Sequence, residues 1–182
     1  ENLELRLGTF YNMYKAEDYF YDMLYEVNGT GPLSSGLKMP VYKGEKLVPS
    51  VSFLAELGLP YLANEDFRPD DFIPRMSVLF SNKLNDKISL GCNVGADWSD
   101  YARKTVGFYS LIIGYGFSDK LSVFAEGYGS FVVDEDADNR LDAGLSFLIL
   151  PNFQIDAYGG IGLADMSDIY FIAGGLTYRI PE

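Results

Sequence analysis

The chain has no histidine and a single cysteine, Cys92, among its 182 residues. The first absence removes the mechanisms in which an imidazole activates a serine or cysteine nucleophile. The second removes an intrachain disulfide and any cysteine-built metal motif. Basic residues are also scarce: 14 Lys and Arg against 26 Asp and Glu leave a formal charge of −12, which repels the phosphates of nucleic acid. No run of about 18 apolar residues occurs, which excludes transmembrane helices. No leader peptide is visible, and a mature secreted protein would have lost its own. The length suits one domain, residues 1–182.

What the chain does have is alternation. From Lys87 to Trp98, Ile88, Leu90, Cys92, Val94, Ala96 and Trp98 point one way, while Ser89, Gly91, Asn93, Gly95 and Asp97 point the other. A period of two means a strand, and at about 3.3 Å per residue this one is long enough to cross a bilayer at a tilt. With 19 glycines, 14 tyrosines and 13 phenylalanines, the composition suits a curved sheet with aromatic girdles.

Similar alternation predicts ten strands. The first, from about Asn2 to Tyr14, turns Leu3, Leu5 and Leu7 outward and Glu4, Arg6, Gly8 and Phe10 inward. Lys15 to Gly31 is too polar for a strand core and is expected to be an external loop. Strand two (Pro32 to Lys43) and strand three, with Ser52, Leu54 and Glu56 inward, meet at Gly44-Glu45-Lys46; an acidic loop from Ala63 to Asp71 leads to strand four, with Arg75 and Ser77 inward. Strand five is the alternating stretch, and strand six places Tyr109, Leu111 and Ile113 outward. Strand seven turns Phe124, Glu126 and Tyr128 inward; after a loop from Asp134 to Arg140, strand eight does the same with Asp142. Strands nine and ten carry Asp156 and Arg179 inward. Pro40, Pro60 and Pro74 belong at strand ends or bulges, because proline cannot donate to a ladder.

Short connections alternate with longer, mostly acidic ones, as they do in outer-membrane barrels with tight turns at one rim and surface loops at the other. The short turns resemble one another: Asp86-Lys87-Ile88-Ser89-Leu90 and Asp119-Lys120-Leu121-Ser122-Val123. The repeat unit is therefore an up-and-down strand pair. Glu1-Asn2-Leu3-Glu4-Leu5 has the same shape. That likeness suggests a preceding hairpin and a whole barrel of twelve strands, with ten closing alone as the competing count. The expected fold class is all-β: a transmembrane antiparallel up-and-down β-barrel.

Leu-Glu-Leu-Arg-Leu-Gly (3–8), Ser-Phe-Leu-Ala-Glu-Leu-Gly-Leu-Pro (52–60), Leu-Phe-Ser-Asn-Lys-Leu-Asn-Asp-Lys (79–87), Phe-Ala-Glu-Gly-Tyr-Gly (124–129) and Asp-Ala-Gly-Leu-Ser-Phe (142–147) resemble Bacteroidetes outer-membrane barrels regarded as transporters. These are similar to the channel family of the meta-pathway of phenol degradation. The resemblance covers nearly the whole chain, and its motifs mark strands and turns. It implies a twelve-stranded barrel in the bacterial outer membrane, in contact with the lipid bilayer and lipopolysaccharide. It says little about the solute. The end Arg179-Ile180-Pro181-Glu182 departs from the terminal aromatic common in such barrels.

Glu4, Arg6, Lys38, Glu56, Arg75, Asp97, Glu126, Asp142, Asp156 and Arg179 are the expected lumen charges. Lys38, Glu56 and Arg75 suggest a ladder of alternating sign across successive strands, facing an acidic wall of Glu126, Asp142 and Asp156. Such an arrangement is a polar path for small solutes; the competing reading is that the groups bridge a narrow lumen and plug it. Phe10, Phe124 and Tyr128 are candidate contacts for an apolar or aromatic solute, or packing within the lumen. Tyr11, Trp98, Tyr109, Phe117 and Tyr170 read as interfacial girdle residues. Asp134-Glu135-Asp136-Ala137-Asp138-Asn139 mimics the start of a calcium loop but lacks its glycine and distal glutamate, so a solvated surface loop is expected.

No metal, cofactor or enzymatic activity is expected. The functional expectation is passive diffusion of small, apolar or aromatic solutes, against an accessory barrel plugged within a larger outer-membrane assembly. A soluble lipocalin-like barrel is the remaining alternative, with its apolar face turned inside.

Overall fold

The computed structural model describes residues 3–18, 23–98, 104–163 and 170–178. Its strands are β1 (Glu4–Gly8), β2 (Tyr11–Asp18), β3 (Met23–Thr30), β4 (Leu33–Tyr42), β5 (Ser50–Leu59), β6 (Ile73–Lys83), β7 (Ile88–Asp97), β8 (Val106–Gly116), β9 (Leu121–Phe131), β10 (Asp138–Leu150), β11 (Phe153–Gly162) and β12 (Tyr170–Tyr178). Ten of them form one antiparallel sheet in the order β1-β4-β5-β6-β7-β8-β9-β10-β11-β12, while β2 and β3 pair separately. Apart from the step from β1 to β4, sheet neighbours are neighbours in sequence, as an up-and-down half-barrel requires. β1 and β12 are its edges.

The tight turns have a common cause. Asn85 Oδ1 accepts hydrogen bonds from the amides of Lys87 at 2.9 Å and Ile88 at 2.8 Å. Ser118 Oγ accepts from Lys120 at 3.3 Å and Leu121 at 3.1 Å. In each case a short polar side chain takes up amides that the reversing chain leaves free, the reason Asn and Ser favour turns. The expected prolines fall into place as well: Pro60 follows β5, Pro74 lies at the start of β6, and Pro40 flanks the register shift in the β4–β5 ladder. A bulge there accommodates the missing amide donor.

The segment Lys15 to Gly31 corrects its predicted role as a loop. Most of it is hairpin, β2 and β3 pairing from Tyr11↔Thr30 to Asp18↔Met23. A bond from Gly31 N to Phe10 O at 2.8 Å carries the pairing toward β1 and β4. Polarity excludes a strand from lipid, not from water, and a hairpin beyond the main sheet needs no apolar face. The expected loop from Asp134 to Arg140 is also shorter than predicted, because β10 begins at Asp138. The residues Glu1, Asn2, Ser99 and Arg179 to Glu182 lie outside the described residues.

The two faces of the sheet are inverted relative to a soluble protein. Leu111, Ile113, Leu141, Leu145, Ile172 and Leu176 are exposed on one face, whereas the buried residues of the other include Ser77, Ser110 and Asp142. Leu54 and Ala63 are the buried hydrophobic residues among those described. Apolar atoms in contact with water across a whole face would be strongly unfavourable at roughly 25 cal/mol per Å²; lipid removes that cost. The soluble lipocalin-like alternative requires the opposite burial.

Candidate solute path on the inner face

Cross-strand register places the inner-face charges in rows. One row runs Arg6↔Gly36↔Glu56↔Arg75↔Asp97. The next, two residues along β1 and β4, runs Glu4↔Lys38↔Leu54↔Ser77↔Gly95↔Phe108. Lys38 therefore does not alternate with Glu56, as the predicted ladder required. It lies opposite Glu4, with Nζ 3.6 Å from the Glu4 carboxylate, which Arg6 Nε also meets at 2.8 Å. Arg75 Nε lies 3.9 Å from Glu56, and its guanidinium carbon lies 3.9 Å from the centre of the Phe108 ring. This part of the sheet, predicted to carry charges of alternating sign, is neutralised within itself.

Across the sheet the acidic expectation is met in part. Glu126 and Asp142 are direct partners on β9 and β10, in the row Ser50↔Ser81↔Gly91↔Ile112↔Glu126↔Asp142↔Gly160↔Phe171. Asp156 lies two rows away, opposite Ser146, and accepts a hydrogen bond from Gln154 at 2.7 Å. Between the charged regions, Asn93 donates to Ser110 at 2.9 Å.

Phe124 lies 6.1 Å from Tyr158, which lies 6.1 Å from Phe171, so the candidate contact Phe124 belongs to a string of three rings. Tyr128 pairs with Arg140 across β9 and β10. Phe10 differs from its prediction: it occupies the break between β1 and β2, half exposed, with its ring against Gly31. Of the girdle residues, Trp98 follows β7 and Phe117 follows β8, at opposite rims, and Tyr170 opens β12. The Tyr109 hydroxyl donates to Asn139, and that of Tyr11 to Asn28 at 3.0 Å.

Arg140 and Asp138 fall within the loop expected from Asp134 to Arg140 but belong to β10. Arg140 Nη2 meets Asp138 Oδ2 at 2.7 Å, and counting back by two from Asp142 would have placed both inside. Phe108, Ile112 and Phe171 were also missed as inner-face residues, although alternation with Ser110 or Ala173 marks their side. The calcium-like run is divided between partners, Glu135 with Lys104 at 2.7 Å and Asp138 with Arg140. Among the described residues, no group of three or more His, Cys, Asp or Glu gathers for a metal ion. Arg179 lies outside the described residues.

The family model described as "Putative MetA-pathway of phenol degradation" matches residues 7–180. No match is found among curated proteins.

Proposed function

Since the chain belongs to that family, we propose that it forms an outer-membrane channel through which small solutes, apolar and aromatic ones included, diffuse passively. The observation that carries this reading is the inversion of the sheet, with exposed leucines and isoleucines outside and paired or buried polar groups inside. Outward apolar side chains match acyl tails, and an inner face of charges, hydroxyls, glycines and rings suits hydrated and aromatic solutes. A pore requires the edges β1 and β12 to be joined, by each other or by further strands. Lipopolysaccharide and other outer-membrane proteins are the surroundings this role implies.

Reconstitution of the full chain into planar bilayers tests the proposal. Discrete conductance steps are expected, and Arg75→Glu is expected to shift the reversal potential toward cations. Inserted protein without conductance would overturn the channel in favour of a plugged, structural barrel.

A further inference from the structure

Asp142 is only 9 % exposed, and its Oδ1 is buried without a hydrogen-bond partner. Its in-register neighbour on β9 is Glu126, a second carboxylate whose charge repels it. Arg140, two residues away on the same face, is engaged by Asp138 through Nε at 3.0 Å and Nη2 at 2.7 Å. A charged carboxylate withdrawn from water beside another is unfavourable unless a proton or a cation neutralises it.

Aromatic surface adjoins the pair. A Cβ built on Gly160 would lie 2.6 Å from the Phe171 ring and 2.7 Å from Asp142 Cβ, so this glycine seats the ring beside the acid. Gly144 does the same one row on, where a Cβ would meet Tyr158 Cβ at 2.5 Å and Phe124 Cζ at 2.9 Å. Elsewhere on the face the protein supplies its own cation to a ring, Arg75 over Phe108. On this wall the ring and the acids occur together, and their complement is an external cation.

We propose that Glu126, Asp142 and Phe171, with Tyr158 and Phe124 alongside, form a subsite for an organic cation, an ammonium group carried on an apolar or aromatic body. The carboxylates attract the charge, and the ring faces stabilise a cation within about 6 Å of their centres while covering its apolar part. The inference deepens the channel reading and rests on it for access from the lumen. It makes aralkylammonium ions, more than phenolates or carboxylates, the solutes this wall retains.

Calorimetric titration of the full chain, folded in detergent, with benzyltrimethylammonium, benzyl alcohol and phenylacetate tests it. The cation is expected to bind at least about tenfold more tightly than either other probe, with Glu126→Gln and Asp142→Asn each lowering its affinity by about tenfold, as loss of one desolvated charge contact does. Phe171→Leu is expected to lower it about threefold. Equal affinity for benzyltrimethylammonium and phenylacetate, or unchanged cation binding in folded Glu126→Gln, would overturn the subsite; that variant decides the matter if Asp142→Asn does not fold. Conductance recorded in parallel separates the two proposals. Binding without conductance overturns the channel alone, and conductance without cation preference overturns the subsite alone.

Discussion

The strands β1 and β4–β7 and the strands β8–β12 present the same exterior and different interiors. On the first set, the predicted inner charges are three acids and three bases, Glu4, Glu56 and Asp97 with Arg6, Lys38 and Arg75, and contacts of 2.8 to 3.9 Å join most of them. On the second, Glu126 and Asp142 confront each other without a base between them, beside three rings. The outer faces, by contrast, are interchangeable runs of exposed Leu, Ile, Val and aromatic residues. Lipid sets the outside and is the same all round. The inside is free to differ, so function is to be sought in that difference.

The largest expected effect tests the sameness of the exteriors. Cys92 and Ala143 point outward near the middles of β7 and β10, one on each half. Cys92→Arg and Ala143→Arg are each expected to cost about 2–4 kcal/mol, the penalty of an arginine held in lipid near the bilayer midplane. Unfolding in urea from lipid vesicles measures both. A neutral result at either position would place that strand against something other than acyl chains and break the comparison.

Next comes a pair of conservative changes with opposite signs. Asp142→Asn removes a charge that is buried beside another and lacks a full set of donors, so without a bound cation it is expected to stabilise the protein by about 1–2 kcal/mol. Glu56→Gln removes a partner of Arg75 from a half-exposed pair and is expected to destabilise by less than about 1 kcal/mol. Denaturant midpoints of the two variants, compared with the parent, decide. If Asp142→Asn destabilises by as much as Glu56→Gln, the carboxylate has a compensating partner and the two interiors are not distinct.

The faces of the strands were legible because a period of two needs no knowledge of the partner strand: Arg75, Glu126 and Asp142 fall on the predicted side. The rows were not, because a row depends on register. At Pro40 a bulge sets how β4 meets β5, placing Lys38 opposite Leu54 and Glu56 opposite Gly36. Alternation alone cannot reveal that one-residue adjustment. The hairpin of β2 and β3 was hidden for another reason. Its residues are too polar for a strand core, but a hairpin beyond the main sheet has no core to fill. The Glu126–Asp142 pairing was foreshadowed as an acidic wall, whereas the burial of Asp142 and the ring of Phe171 beside it required the fold.

The smallest expected effect concerns the two turns, one beneath each half. Asn85 holds the β6–β7 turn with acceptor distances of 2.9 and 2.8 Å, and Ser118 holds the β8–β9 turn with distances of 3.3 and 3.1 Å. Removing the acceptor returns two exposed amides to water, so each loss is limited to the net value of such bonds. Asn85→Ala is expected to cost about 1 kcal/mol and Ser118→Ala about 0.5 kcal/mol, the longer bonds contributing less. Equilibrium unfolding of the two variants measures the order. If Ser118→Ala is the more costly, the β8–β9 turn anchors its half by more than its own hydrogen bonds, and the acidic wall is held in place from the rim.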